Sequence, residues 1–114
     1  MKQYTLTIEK PAKSMGGDRY VMGTGKSIYV PQELSRASGT VRENLVLHLA
    51  TENDCGPETA SVSTFNEFTL LRKASSGGDD RYTPGPTNVT WNGDIYLPRE
   101  MLSQRMYVMI ESVH

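Results

Sequence analysis

The segment SIYVPQEL at residues 27–34 recurs with few changes as DIYLPREM at residues 94–101. Both copies are typical of a strand that ends at a proline, because proline has no N–H to donate to a neighbouring strand. Pro31 and Pro98 also suit the first turn of a helix, where the missing N–H costs nothing. The repeated segment therefore predicts two strand-to-helix corners of the same kind.

Three further pairs of similar segments occur in the same order along the chain. They are YTLTIEK (4–10) with FTLLRK (68–73), SMGGDRY (14–20) with SSGGDDRY (75–82), and LVLHLATE (45–52) with MYVMIESV (106–113). Four collinear pairs indicate a tandem duplication of one structural unit. We place the first repeat at about residues 4–51, a polar connection at about 52–66, and the second repeat at about 68–113.

Each repeat predicts a strand, a second strand, a short helix and a closing strand. Apolar residues alternate in the opening strand at residues 4–8 and in the closing strand at residues 45–49. Two such units kept apart would expose six strand edges, so we expect them to close around a pseudo-twofold axis. The predicted fold class is mainly β, a small internally duplicated barrel that occupies residues 1–114 as a single domain.

The two corners resemble the AbrB-like swapped-hairpin module, in which a strand leads into a proline, a short charged helix, a glycine and a returning strand. GKSIYVPQELSRASGTVRENLVLHLATE (25–52) has this order, and GDIYLPREMLSQRMYVMIES (93–112) looks like a shortened version. The wider group of cradle-loop barrels, which includes double-psi barrels, is similarly built from two related halves and hosts many activities. The AbrB-like resemblance implies a homodimer that binds DNA through basic residues. The residue after the proline is Arg99 in the second copy and Gln32 in the first.

Composition narrows the class of protein. A chain of 114 residues with 37% hydrophobic residues is typical of one globular domain. The formal net charge is −1, so attraction to nucleic acid would have to come from a local patch. Cys55 is the only cysteine, which excludes an intrachain disulfide and a Cys-based zinc site. Residues 1–10 lack the apolar core of a secretory signal and no stretch approaches a membrane span, so we expect a cytoplasmic protein without a membrane partner.

The Gly-rich loops KSMGGDRY (13–20) and KASSGGDDRY (73–82) carry the same polar residues in both copies. The interpretation that we favour is a hairpin turn with a solvated Arg–Asp pair. The alternative is an anion site, because adjacent glycines expose backbone N–H groups and the basic side chains add positive charge. Together with the basic residues near the corners, the candidate nucleic-acid or anion-binding residues are Lys13, Arg19, Arg36, Arg42, Lys73, Arg81 and Arg99.

Aromatic residues form a second candidate group. Tyr20 pairs with Tyr82 across the copies, and Tyr29 pairs with Tyr96. Rings beside arginine can stack on nucleobases, although tyrosines on a small sheet more often pack against it with the hydroxyl at the rim. Trp91 lies in a proline-containing loop and has no counterpart in the first copy. We take Tyr20, Tyr82 and Trp91 as the candidate contact residues for a partner or ligand.

Catalysis is not predicted. TGKS (24–27) lacks the upstream glycine of a phosphate-binding loop and precedes a strand rather than a helix. His48, which we expect to face outward relative to the leucines of its strand, has no nucleophile close to it in sequence. The loop aspartates have no defined ligand spacing. No catalytic residue, metal or cofactor is therefore predicted.

Three functions stay open. The one that we favour is a non-enzymatic nucleic-acid-binding or regulatory protein that acts as a homodimer. The second is a small binding or inhibitory module, of the kind represented by phage-encoded host or defence modulators, that captures a protein partner or an anionic small molecule such as a nucleotide in its Gly-rich loops. The third is a hydrolase or transferase that would depend on Asp79 or Glu100.

Overall fold

The computed structural model describes residues 2–23, 25–51, 65–74, 78–99 and 103–112. Within these ranges the chain forms eight strands and one short helix. In chain order they are β1 (Lys2–Lys10), β2 (Asp18–Met22), β3 (Ser27–Val30), α1 (Gln32–Ser35), β4 (Asn44–Thr51), β5 (Asn66–Arg72), β6 (Asp80–Pro84), β7 (Ile95–Leu97) and β8 (Arg105–Ser112). None of the described helical residues belongs to a helix with the length and hydrophobicity needed to cross a membrane.

The mainly β, barrel-like class is confirmed, because the strands form an antiparallel, barrel-like sheet. The internal duplication around a pseudo-twofold axis stays a prediction. The chain divides into two compact units. The N-terminal unit comprises Gln3–His48 and Ile110–His114, and the C-terminal unit comprises Met1–Lys2 and Leu49–Met109. The strand order is β3-β2-β1-β4 in the N-terminal unit and β8-β5-β6-β7 in the C-terminal unit.

Each unit contains one strand more than the sequence pattern predicted. The residues DRYVM form β2 and the residues DRYTP form β6, where we had expected the end of a Gly-rich loop. Both strands alternate between buried and more exposed positions, as a strand with one face on the core does. Aspartate and arginine at their starts gave these short segments the composition of a loop.

The corners agree with the prediction where they are described. Pro31 caps a helix of one turn, α1, which is shorter than the two turns expected. In the second copy Pro98 follows β7, and the helix expected after it lies mostly outside the described residues. Residues 52–64 of the connection between the repeats, which include Cys55, also lie outside them.

The strand registers correspond in the two units. Asp18 pairs with Val30 as Asp80 pairs with Leu97, and Tyr20 pairs with Ile28 as Tyr82 pairs with Ile95. Both opening strands also have an irregularity at the same place, between Ile8 and Lys10 in β1 and between Leu70 and Arg72 in β5. Segments that resemble each other in sequence therefore also have the same hydrogen-bonding neighbours.

One of the sequence matches is corrected by these registers. Leu6 lies opposite Met22 and Phe68 lies opposite Pro84, so Leu6 corresponds to Phe68. The sequence pattern had matched Tyr4 with Phe68. The two matches differ by two residues, and a shift of two keeps every side chain of a strand on the same face. Hydrophobic alternation alone cannot distinguish them.

The inner face of the strands is apolar with two buried aspartates. The fully buried side chains include Leu6, Tyr20, Val30, Leu45, Leu47, Leu49, Phe68, Tyr82, Leu97, Met106 and Val108. Asp18 and Asp80 are the first residues of β2 and β6, and they are 0% and 1% exposed. Burying a carboxylate costs folding free energy unless hydrogen bonds satisfy its oxygens. The donors around these two aspartates therefore matter for the stability of each unit.

Asp18 is saturated with hydrogen bonds. Its Oδ1 accepts from the backbone N–H of Ala12 at 2.8 Å and from Nη2 of Arg36 at 2.8 Å. Its Oδ2 accepts from the hydroxyl of Ser35 and from Nε of Arg36 at 3.0 Å. The hydrogen bonds from the Arg36 guanidinium lower the pKa of Asp18 from 3.8 to about 2. This two-oxygen pairing connects the Gly-rich loop, β2 and the end of α1.

Asp80 has the first of these bonds, and no counterpart of the others is seen among the described residues. Its Oδ1 accepts from the backbone N–H of Ala74 at 2.8 Å, as Asp18 does from Ala12. Its Oδ2 is buried and has no hydrogen-bond donor among the described residues. Each unit therefore buries an aspartate carboxylate of its own. Hydrogen-bond donors to both carboxylate oxygens are seen in the N-terminal unit.

We predict that Asp18→Asn destabilises the protein. The amide cannot accept the paired hydrogen bonds of a guanidinium as an anion does, and Arg36 would lose its counter-ion. Loss of one partner of a buried ion pair costs about 3–5 kcal/mol, and we expect about 2–3 kcal/mol because the guanidinium is partly exposed. Urea denaturation of the variant measures this cost. Asp79→Asn is the matched control, and an equal loss in the control would contradict the assignment.

The same ion pair predicts a loss of stability in acid. The folded-state pKa of Asp18 lies below its ordinary value, so its contribution is complete above pH 3.8 and is lost as the pH falls toward about 2. We expect the wild-type protein to lose about 1–2 kcal/mol more than Asp18→Asn over that interval. Urea titrations of both proteins at several pH values test this. Parallel pH profiles would show that Asp18 is not the group responsible.

Asp80→Asn is predicted to behave differently from Asp18→Asn. An asparagine oxygen can keep the bond from Ala74, and the substitution removes a buried negative charge from an oxygen without a described donor. We expect a change in unfolding free energy within about 1 kcal/mol, in either direction. A cost as large as that of Asp18→Asn, measured in the same urea titration, would mean that Asp80 has a strong donor outside the described residues.

Candidate functional site

A row of two cations and a tyrosine crosses the outer face of the N-terminal unit. Lys10 on β1 lies opposite Arg19 on β2, and Arg19 lies opposite Tyr29 on β3. We call these three residues the first basic row. Lys10 is exposed, Arg19 is partly exposed, and Tyr29 is 59% exposed.

The C-terminal unit carries a row of the same composition. Arg72 on β5 lies opposite Arg81 on β6, and Arg81 lies opposite Tyr96 on β7. We call these residues the second basic row. Arg72 is exposed, and Tyr96 is 48% exposed. The two rows occupy corresponding positions of the strand registers.

Backbone geometry explains why these side chains point outward. Asp18 and Tyr20 are buried, and successive residues of a strand face opposite sides, so Arg19 between them faces out. Lys10 would share the inner face with Leu6 and Ile8 in a regular strand. The irregularity between Ile8 and Lys10 inserts one residue and brings Lys10 opposite Arg19. The corresponding irregularity in β5 places Arg72 opposite Arg81.

Like charges opposite each other on neighbouring strands are unfavourable, and both rows contain such a pair. A carboxylate offsets part of this repulsion in each. Nε of Arg19 lies 2.6 Å from Glu9 Oε1, and Nη2 of Arg81 lies 2.7 Å from Asp94 Oδ2. The pKa of Asp94 is lowered by a hydrogen bond from Thr83 and by Arg81. Neither Lys10 nor Arg72 has an ion-pair partner among the described residues, so each row keeps one cation that is not offset.

A pocket opens beside the second basic row. It has a volume of about 220 Å³ and is lined by the three residues of the row together with Lys73, Ala74, Gly78 and Asp79. Lys73 is exposed and adds a further positive charge. The guanidinium carbon of Arg81 lies 6.0 Å from the centre of the Tyr96 ring, within the range of a cation–π contact. The pocket thus combines basic groups with an aromatic ring.

The side chain of Gln32 holds the Gly-rich loop of the N-terminal unit. In the N-terminal unit Nε2 of Gln32 donates to the carbonyls of Ser14 at 2.6 Å and Gly16 at 2.8 Å. Gly17 packs so closely that a Cβ there would lie 3.0 Å from the carbonyl oxygen of Val30. The corresponding residue to Gln32 in the second copy is Arg99, which is exposed and has no ion-pair partner among the residues described. The second copy therefore has a basic side chain at the position from which the Gln32 amide binds the loop in the first copy.

The predicted anion-binding residues fall into two groups. Arg19 and Arg81 lie in the basic rows, and Lys73 lines the pocket. Lys13 and Arg99 are exposed but belong to neither row. Arg36 is held in a buried ion pair, and Arg42 lies outside both rows.

Arg36 is a correction to the sequence-based site, and Arg42 stays a prediction. The guanidinium of Arg36 is committed to the buried carboxylate of Asp18, so its charge is neutralised inside the fold. The backbone of Arg42 joins two elements, since its N–H donates to the carbonyl of Ser35 and its carbonyl accepts from the Tyr20 hydroxyl. The side chain of Arg42 is half-buried. Arg36 therefore does not offer the freely exposed cation that we expected.

The predicted aromatic contact residues are also corrected, because all three are in the core. Tyr20 and Tyr82 are fully buried, and the Tyr82 hydroxyl donates to the carbonyl of Ser103 at 3.0 Å as the Tyr20 hydroxyl does to Arg42. Burial raises the pKa of Tyr20 to about 12 and also raises the pKa of Tyr82. These rings cannot reach a ligand at the surface.

Trp91 packs against the core as well. Its ring lies 5.4 Å from that of Phe68 at an angle of 76°, and the residue is 4% exposed. The side chain of Asn88 accepts from the backbone N–H of Trp91 at 3.0 Å and donates to the carbonyl of Glu67 at 3.0 Å, which fixes the loop over β5. The loop that we took as a contact surface is therefore a cover for the apolar face.

His48 is placed differently from the prediction. It lies on the opposite face of β4 from the buried leucines, but it is 7% exposed rather than open to solvent. Its Nε2 lies 3.2 Å from Glu111 Oε1. The neighbouring Ala50 is also buried, so both faces of β4 are covered along this part of the strand.

The sequence-based site omitted Lys10, Arg72, Tyr29 and Tyr96. The two tyrosines could have been found, because each lies between two inward apolar residues of the duplicated IYVP or IYLP segment and must face outward. Lys10 and Arg72 could not, since their outward direction depends on a strand irregularity that has no distinct sequence pattern.

The arrangement can hold phosphate oxygens and a planar ring. Arginine and lysine donate charge-assisted hydrogen bonds to phosphate, and an exposed tyrosine provides a surface for stacking. No group of three or more potential metal ligands occurs among the described residues. Asp79, one of the two residues named in the third hypothesis, lines the pocket, and the other, Glu100, lies outside the described residues.

Comparisons of the chain with protein-family models, curated proteins and solved structures found no match. The AbrB-like resemblance and the homodimer that it implies therefore stay predictions, and the functional argument depends on the geometry of the two basic rows.

Proposed function

We propose that the protein binds nucleic acid through the two basic rows. The observation that carries the proposal is the repetition of a cation, a second cation and an exposed tyrosine across three strands of each unit. A fold that needed only a stable hairpin would gain nothing from like charges placed opposite each other. A bound phosphate would relieve that repulsion in both rows.

The charge of the protein predicts that nucleic acid is attracted moderately, and mainly at the basic rows. The net charge is −1, and a carboxylate already offsets one arginine in each row. Binding should therefore depend on the cations without an ion-pair partner among the described residues, Lys10 and Arg72, with Lys73 at the pocket. Each contact to a phosphate of a single strand contributes about −0.7 to the slope of log affinity against log salt concentration.

A nucleotide or another small phosphorylated molecule is the second candidate ligand. The observation that favours it is the pocket of about 220 Å³, whose lining includes Arg72, Lys73, Arg81 and the exposed Tyr96. The first basic row would have no part in binding such a molecule at the C-terminal unit. This difference separates the two candidates experimentally.

Fluorescence-anisotropy titration of labelled oligonucleotides at low and moderate salt tests the proposal. We expect saturable binding that weakens with salt, and a double variant Lys10→Gln/Arg72→Gln that binds more weakly with a slope smaller by about 1.4. Lys26→Gln is the control, because Lys26 is exposed near the far end of the β2–β3 hairpin and lies outside both rows.

Three results would count against nucleic acid as the ligand. They are the absence of binding at low salt, binding that is insensitive to salt, and an equal loss in Lys26→Gln. Saturable binding of a nucleoside monophosphate that Arg72→Gln abolishes and Lys10→Gln leaves unchanged, without binding of oligonucleotides, would support the second candidate instead.

A further inference from the structure

We infer that the nucleic acid is single-stranded and that unpaired bases stack on Tyr29 and Tyr96. This inference rests on the proposed function and specifies its ligand. Among the described residues, these are the aromatic side chains that lie open to solvent, at 59% and 48% exposure, while the other described rings are buried or half-buried. An exposed ring contributes little to a core, and the same ring is exposed opposite an arginine at the corresponding position of both units.

The position of the two rings is the first argument. Tyr29 is opposite Arg19 and Tyr96 is opposite Arg81, so each ring has a guanidinium beside it on the next strand. Neighbouring strands are about 4.8 Å apart, and the second cation of each row lies one strand further away. A nucleotide with its base over the tyrosine would thus have its phosphate over the adjacent cations.

The charge balance is the second argument. Glu9 pairs with Arg19 and Asp94 pairs with Arg81, so each row has less positive charge than its composition indicates. Binding to a duplex depends mainly on attraction to its phosphates, because paired bases present only their edges to a protein. A surface with partly neutralised cations and exposed rings is better suited to a strand whose bases are free to stack.

The second basic row is expected to be the stronger of the two sites. Asp94 holds Arg81 through Nε at 2.8 Å and Nη2 at 2.7 Å, and the guanidinium lies 6.0 Å from the centre of the Tyr96 ring. A side chain that is already held in place loses less conformational freedom when a ligand binds. The pocket beside this row also gives a base or phosphate more surface to contact than a flat strand does.

The test compares four oligonucleotides of equal length: a single DNA strand, its RNA equivalent, the duplex, and a strand in which abasic sugars replace the bases. Anisotropy is measured with the wild-type protein and with Tyr29→Leu, Tyr96→Leu, Tyr29→Phe and Tyr96→Phe. The phenylalanine variants keep a ring at the same place and serve as matched controls. Urea denaturation of each variant shows whether it remains folded.

We expect the single strands to bind more tightly than the duplex and the abasic strand. Tyr96→Leu should weaken single-strand binding by about fivefold or more, Tyr29→Leu by a smaller factor, and the phenylalanine variants by less than about twofold. Equal binding of the duplex, the abasic strand and the single strands, with no effect of either leucine variant, would overturn this inference while leaving nucleic-acid binding intact. Failure of every oligonucleotide to bind at low salt would overturn both.

Discussion

The buried carboxylate of Asp18 is the interaction on which the arrangement of the N-terminal unit depends. A carboxylate can be enclosed in an apolar interior only when donors satisfy its oxygens, and here they come from the Gly-rich loop, from α1 and from Arg36. Among these donors, Ala12 lies 24 positions before Arg36 in the chain. Satisfying one group therefore fixes how the loop, β2 and the end of the helix lie relative to one another.

The outer surface follows from that inner anchor. With Asp18 and Tyr20 directed inward, the alternation of a strand leaves Arg19 on the outside, and the register places it between Lys10 and Tyr29. The second unit repeats this relation around Asp80. The basic rows and the buried aspartates thus lie on opposite faces of the same strands. A substitution that removes the hydrogen bonds of the aspartate should therefore also disturb the basic row on the outer face.

The two units correspond in their strand registers but differ in some of their polar side chains. They share the register of the hairpins, the bond from an alanine N–H to the buried aspartate, and the bond from a tyrosine hydroxyl to a distant carbonyl. These correspondences support our hypothesis of a tandem duplication. The N-terminal unit adds the Arg36 pairing and the Gln32 clamp on its loop, whereas the C-terminal unit has Arg99 at the position of Gln32 and a pocket beside its basic row.

The sequence alone determined the mainly β class and the end of a strand before each of Pro31 and Pro98, because these depend on local alternation and on the chemistry of proline. The alternation in the sequence also predicts that Tyr29 and Tyr96 face outward. Only the tertiary structure decided which basic residues reach the surface together. Arg36 looked available but is held by Asp18, a residue 18 positions away, and Lys10 and Arg72 join the rows through strand irregularities. Ion pairing inside the fold and one inserted residue in a strand are long-range and geometric effects, which residue spacing does not record.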